Sequence, residues 1–211
     1  MSAVQGSAEW LQDRCGKVTA SRIADLMART KTGWGASRAN YAAQLVAERL
    51  TSCVAPSFTN AAMIHGTETE PEARRAYEFF VDRDVQQVGF IPHPSIPMCG
   101  ASPDGLVGTD GLLELKCPQT ATHIDTLLTG TIPDKYLKQM QFQMACTDRE
   151  WCDFASYDNR LPERMRLFVK RVERDAEAIA EIEAAIVEFL GEIERTVAQL
   201  IEQYEEEKEA A

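Results

Sequence analysis

The most regular apolar spacing in this 211-residue chain lies near its end. From Glu173 onward, Ile179, Ile182, Ile186, Phe189 or Leu190, Ile193, Val197 and Leu200 recur every three to four residues. That period marks one buried stripe on a long helix. The same reading places helices earlier. "SAEWLQDR" starts on Ser7 as a cap, and "TASRIADLMA" starts on Thr19 or Ser21. "SRANYAAQLVAERL" runs from Ser37 with Tyr41, Leu45 and Leu50 among its apolar positions. In "HGTETEPEARRAYEFF", Gly66 breaks the pattern and Pro71 suits the first turn of a helix reaching Val81. "KTGWG", Lys31 to Gly35, reads as a glycine-bounded loop presenting Trp34.

The middle of the chain alternates instead. "VQQVGFI", "MCGAS", "DGLVG" and "LLELK" are short strand-like runs, and "GTDG" joins the last two as a hairpin turn. "ATHIDTLLTG" and "DKYLKQMQFQMACT" read as helices, and "WCDFASYD" and "RMRLFVKRV" as strands. Helices, a mixed sheet, two helices, two strands and a terminal helix predict an α/β sandwich around one central sheet.

Charge changes the picture only once it is located. The net charge is −11. Thirteen acidic and three basic residues fall between Glu173 and Ala211, so that segment carries −10 and residues 1–172 carry −1. The body is therefore not excluded from binding phosphate backbones. The expected organisation is a body of residues 1–172 and an acidic helix of 173–211, packed on it or extending a subunit contact. No apolar run has the length of a membrane span, and "MSAVQGSAEW" has no signal-peptide core, so a cytoplasmic protein is expected. The six cysteines contain no CxxC pair and read as free thiols.

One hairpin holds more charge than packing requires. In "GASPDGLVGTDGLLELKCP", Asp104 precedes Glu114 and Lys116 by ten and twelve residues. Residues two apart on a strand share a face, so Glu114 and Lys116 point together while Leu113 and Leu115 point into the core. With Thr109-Asp110 as a two-residue turn, Asp104 falls opposite Leu115. A turn on Asp110-Gly111 shifts this by two residues. Either way two carboxylates and an ammonium converge, with Gly105 permitting close approach. Neighbouring carboxylates repel. A hard divalent cation such as Mg²⁺ removes that penalty, taking one or two carboxylates and keeping waters for a phosphate. Lys116 then adds positive charge where a phosphorane forms, or helps deprotonate the attacking water. The alternative is a surface aspartate and an internal Glu–Lys pair.

"SPDGLVGTDGLLELKCP" resembles the active-site hairpin of the PD-(D/E)xK nucleases, and within them that of the YqaJ-type viral recombinases, the lambda exonuclease family. "WLQDRCGKVTAS", "HGTETEPEARRAYE" and "YLKQMQFQM" resemble three further motifs of that family, in its order. The resemblance implies a restriction-endonuclease-like core, with a central mixed β-sheet flanked by helices. It also implies a Mg²⁺-dependent 5′→3′ exonuclease, with Mn²⁺ able to substitute. The enzyme would degrade linear double-stranded DNA to mononucleotides and leave a 3′ overhang for phage recombination. Asp104, Glu114 and the carbonyl of Leu115 resemble metal ligands, and Glu70 a further carboxylate at or near a second metal. Lys116 resembles the catalytic lysine, and Gln139 the glutamine that orients the lysine or the water. Gln141 has no assigned part and reads as exposed.

Arg14, Ser21 and Ser102 resemble a pocket for the terminal 5′-phosphate. Where lambda exonuclease has an arginine after the hairpin, this chain has Thr122-His123, and His123 is the candidate phosphate contact. Met63 falls where the family places an apolar residue in the DNA channel, and Trp34, near Arg29 and Lys31, is placed to stack on a base. Both also read as ordinary packing. The family further implies a homotrimer ring and a single-strand annealing partner, with no membrane. The rival readings are a Cas4-like or restriction-type endonuclease and a non-catalytic DNA-end-binding protein.

Overall fold

The computed structural model describes residues 3–31, 33–56 and 61–209. Thr32, inside the expected Lys31–Gly35 loop, lies outside them. In chain order the described elements begin with α1 (Ala8–Arg14), β1 (Val18–Thr19), a 3₁₀ turn (Ala20–Arg22) and α2 (Ile23–Leu26). β2 (Arg29–Thr30), β3 (Gly33–Trp34), α3 (Ala36–Thr51) and α4 (Ala61–Val81) follow. Then come β4 (Val85–Gln86), β5 (Ile91–Pro92), β6 (Cys99–Ala101), β7 (Gly105–Val107) and β8 (Gly111–Lys116). The last part comprises α5 (Thr120–Thr129), α6 (Asp134–Thr147), β9 (Trp151–Tyr157), a 3₁₀ turn (Glu163–Met165), β10 (Leu167–Glu173) and α7 (Ala176–Glu209).

The expected strands divide between two sheets. A five-stranded mixed sheet runs β10-β9-β8-β7-β4, with β8 and β9 parallel and the other neighbours antiparallel. A separate three-stranded sheet runs β1-β6-β5. Thr19, one of the two expected caps, does precede the helical turn, but without a side-chain cap bond, and with Val18 it also pairs as a short strand with Gly100 and Cys99. Only the following Ala20–Leu26 turns helical.

Strand alternation sorts β8 between two cores. Leu113 and Leu115 pack with Ala73 and Tyr77 of α4, whereas Leu112 packs with Met140 and Met144 of α6. Glu114 and Lys116 share the parity of Leu112 and so face α6. Gly105 permits the edge strand to close, because a Cβ there would meet Val85 Cγ1 at 2.0 Å.

α7 forms much of a third core. Ile179, Ile182, Ile186, Phe189, Leu190 and Ile193 are buried with α2, α3 and α6, and Val197 and Leu200 pack partly against them. The stripe thus docks on the body of its own chain. An ion pair from Arg38 to Glu192 at 2.9 Å and a bond between His93 and Glu183 at 3.1 Å flank it.

α4 departs from expectation. It is helical from Ala61, so Gly66 and Pro71 both lie inside it. Proline cannot donate to the carbonyl four residues back, so Thr67 loses its helical partner there. Glu70 is consequently a mid-helix residue and not one at a helix start.

Candidate active site

The hairpin sets the site, and its turn is one residue longer than the sequence reading allowed. Val107 pairs with Gly111, Leu106 with Leu112 and Gly105 with Leu113, leaving Gly108, Thr109 and Asp110 as a three-residue loop. Gly108 takes a left-handed φ of 58° in that loop. Counting one pair further sets Asp104 level with Glu114 instead of Leu115. The loop is held from behind. Arg149 Nη1 donates to the carbonyls of Gly108 at 3.0 Å and Gly111 at 2.7 Å, and the Glu150 amide donates to Asp110 O at 2.8 Å.

The three charged groups do meet. Asp104 Oδ2 accepts from the Leu115 amide at 2.7 Å and lies 3.9 Å from Lys116 Nζ. Lys116 also pairs directly with Glu114 Oε1. Gln139 Nε2 donates to that same oxygen at 2.7 Å. The other oxygen, Glu114 Oε2, accepts from Gln143 Nε2 at 2.6 Å. Glu114 is fully buried. Its burial pushes the carboxyl above the ordinary range, Asp104 adds to that push, and Lys116 opposes it. Burial disfavours the Lys116 ammonium, but Glu114 and Asp104 outweigh burial and hold it above its usual value. The two carboxylates thus favour the ammonium form of Lys116.

Glu70 approaches without joining. It pairs with Arg74 at 2.5 Å, and burial followed by the Asp104 charge raises its carboxyl. Among the described residues, no three His, Cys, Asp or Glu side chains form a ready metal cage. The donor set still fits a hard cation. Asp104, Glu114 and the Leu115 carbonyl are oxygen donors, and Mg²⁺ needs only one or two carboxylates. The ammonium of Lys116 pairs with Glu114 and lies 3.9 Å from Asp104, so a positive charge already stands between the two carboxylates.

The expected phosphate pocket opens beside this cluster. A cavity of about 190 Å³ is lined by Arg14, Ser21 and Ser102 together with Asp104, Lys116 and Gln139, and by Gln5 and Trp10. The Arg14 guanidinium lies 3.9 Å over the Trp10 ring, and Trp10 Nε1 donates to Ser102 Oγ at 3.0 Å. Among the described residues Arg14 has no ion pair, and burial lowers its pKa. Sequence reasoning missed what aims it. Gly16, at φ 69°, donates its amide to Glu48 Oε2 at 2.7 Å and accepts Arg49 Nε on its carbonyl at 3.0 Å. Consecutive side chains of α3 thus clamp both sides of the turn between Arg14 and β1. The adjacent Glu-Arg pair in "VAERL" was the available signal.

Three expected contacts change. His123 is fully buried, with Nδ1 2.7 Å from Ser156 Oγ and Nε2 2.9 Å from the Met165 carbonyl. Both ring nitrogens tie α5 to β9 and the turn before β10, and His123 does not line the phosphate cavity. Trp34 already carries the guanidinium groups of Arg29 and Arg38, each 3.9 Å from its ring centroid. A base would have to compete with them. Gln141, read as exposed, is buried and bonds both the Glu173 carbonyl and the Asp175 amide, each at 2.9 Å. Met63 is half exposed and lines a second cavity of about 580 Å³ with Trp10 and Glu70.

Solved structures share this arrangement of elements. Two structures of an alkaline exonuclease, LHK-Exo, from Laribacter hongkongensis, one of them in complex with dAMP, are each 52% identical to the chain. Each match covers 95% of this chain and 99% of that one, with a TM-score of 0.89. A phage related exonuclease from Haemophilus somnus 129PT is 13% identical and shares the fold, with a TM-score of 0.70 over 87% of this chain and 96% of its own. No curated protein matches. The YqaJ-like viral recombinase domain matches residues 9–150, which include Arg14, Glu70, the hairpin and Gln139. On that match and the 52% identity over nearly its whole length, the chain belongs to the YqaJ-like viral recombinase family.

Proposed function

We propose that the protein is a Mg²⁺-dependent 5′→3′ exonuclease acting on linear double-stranded DNA. It releases mononucleotides and leaves a 3′ overhang for recombination by strand annealing. One observation carries this reading: a single cavity joins Arg14, without an ion pair among the described residues, and two serine hydroxyls to the Asp104–Lys116–Gln139 group. The relatives named as exonucleases support the same class of reaction.

Arg14 binds a terminal 5′-phosphate by charge-assisted hydrogen bonds, and Ser21 and Ser102 add neutral ones. Held there, the strand end presents its next phosphodiester to the carboxylate side of the cavity, so binding becomes positioning. Asp104, Glu114 and the Leu115 carbonyl hold the cation, with Glu70 as a further carboxylate once freed from Arg74. Bound Mg²⁺ supplies an activated water and neutralises charge on the phosphate oxygens; Mn²⁺ shares its preference for oxygen ligands. Before a cation is bound, Glu114 and Asp104 hold Lys116 as an ammonium. It turns from the carboxylates to the phosphate and stabilises the developing negative charge. Gln139 keeps Glu114 Oε1 oriented while the lysine moves. A homotrimer ring around the duplex and an annealing partner complete the reading, on family membership.

The test is digestion of linear duplexes labelled at either end, with Mg²⁺ and with chelator. The 5′ label should appear as mononucleotide only with metal, while closed circular DNA survives. Rapid nicking of closed circles would favour the endonuclease rival, and metal-independent retention of uncut ends would favour the end-binding one.

A further inference from the structure

Gln139 has a partner in its task one helical turn away. Residues four apart on a helix share a face, and both Gln139 and Gln143 of α6 reach Glu114 from below the sheet. They divide the carboxylate between them: Gln139 takes Oε1, which also faces Lys116, and Gln143 takes Oε2. Gln139 lines the cavity, whereas Gln143 is fully buried and does not. Any influence of Gln143 on the reaction therefore passes through Glu114.

The amide of Gln143 is used on one side only. Its Oε1 is buried without a hydrogen-bond partner among the described residues. An orphaned buried carbonyl destabilises a core, and Met140 and Met144 show that an unbranched apolar side chain suits this helix beside the sheet. A packing role alone would favour such a side chain at position 143. What the glutamine adds is a neutral donor that pins one carboxylate oxygen and leaves the other to Lys116 and Gln139, which line the cavity.

We infer that Gln143 is a positioning residue for Glu114, fixing the rotation of this carboxylate so that Oε1 is presented to cation and lysine. The inference rests on the proposed metal-dependent reading, and its test separates the two. Mn²⁺ binding to the DNA-free protein is measured by titration calorimetry for wild type, Glu114→Ala, Gln143→Met and Gln143→Leu, alongside melting temperature and the metal dependence of the rate. Supporting structures of metal ligands typically contribute about 10- to 100-fold in affinity. The Met and Leu variants should therefore bind Mn²⁺ about 10-fold more weakly and need correspondingly more metal for half-maximal rate, while melting at or above the wild-type temperature. Native Mn²⁺ affinity in both variants, with binding lost in Glu114→Ala, would overturn the inference and leave the functional reading intact. Melting well below wild type in both would assign Gln143 to the fold and overturn it as well. A wild-type protein that binds no Mn²⁺ would overturn the functional reading, and this inference with it.

Discussion

The two sides of the cavity are built on opposite principles. On the carboxylate side every charge is answered from within: Lys116 lies against both Asp104 and Glu114, and two glutamines and a backbone amide complete the carboxylates. On the phosphate side Arg14 rests on an indole and has no ion pair among the described residues. On the proposed function, one side has to be taken apart to accept a cation, and the other only has to be filled. Paired charge and charge without an ion pair are thus kept distinct among the described residues, although both line one cavity.

The comparison breaks most visibly at Lys116. Replacing it with alanine removes the transition-state charge but no metal ligand, so cleavage should fall by at least about 10²- to 10³-fold while Mn²⁺ and duplex binding persist. Calorimetry and single-turnover rates check this, and near-native cleavage would remove the lysine from the chemistry. Arg14→Ala should act on the other side alone. A charge-assisted contact contributes about 1.5–3 kcal/mol, so the rate advantage of 5′-phosphate over 5′-hydroxyl ends should shrink by roughly 10- to 100-fold. Metal dependence should stay at the wild-type value. Equal rates for the two ends in the wild type would leave the carboxylate side standing and sink the pocket.

The smallest effect concerns pH. The Glu114 carboxyl is raised by burial, so its contribution to stability is fully present below the ordinary carboxylate pKa of about 4.3 and is lost as pH rises through its higher folded value. Glu114→Gln removes this dependence. The melting temperature of the variant minus that of the metal-free wild type should therefore grow with pH across that window, at about 2–4 °C per kcal/mol for a chain of this size. Added Mg²⁺ should narrow the gap at the upper end by stabilising the ionised wild type. A pH-independent difference would show that Glu114 is not strained by burial.

Much of this was legible before any coordinates. The stripe from Ile179 to Leu200 needed only a period, and it packs as its period implies. Asp104, Glu114 and Lys116 could be paired because a hairpin is a local structure whose alternation is rigid. The misreadings each arose where a distant segment decided. The strand of Val18 and Thr19 went unread because Cys99 and Gly100, which pair with it, lie some eighty residues away. Pro71 was absorbed into α4, whose turns before it are held by the fold: Thr69 is buried, and a Cβ on Gly66 would stand 3.7 Å from the distant Cys117 carbonyl. His123 looked available for phosphate, since no local pattern announces Ser156 and the Met165 carbonyl. Gln143 and Glu48 went unassigned because each serves a group brought near only by the fold.

The loop between β7 and β8 carries no chemistry, yet it keeps the count on which the chemistry depends. Gly108, Thr109 and Asp110 are three, and Arg149 and Glu150 grip their carbonyls and that of Gly111 as if to fix the number. One residue more or fewer would slide Asp104 by a single position against β8 and turn its carboxylate toward the opposite face of the sheet. Thr109, exposed at the tip, has no such burden on its identity. Selection on this turn should then act on its length and on Gly108, tolerating varied spelling at Thr109 while rejecting any insertion or deletion. The turn is a ruler, and the register of Asp104 against Glu114 is what it measures.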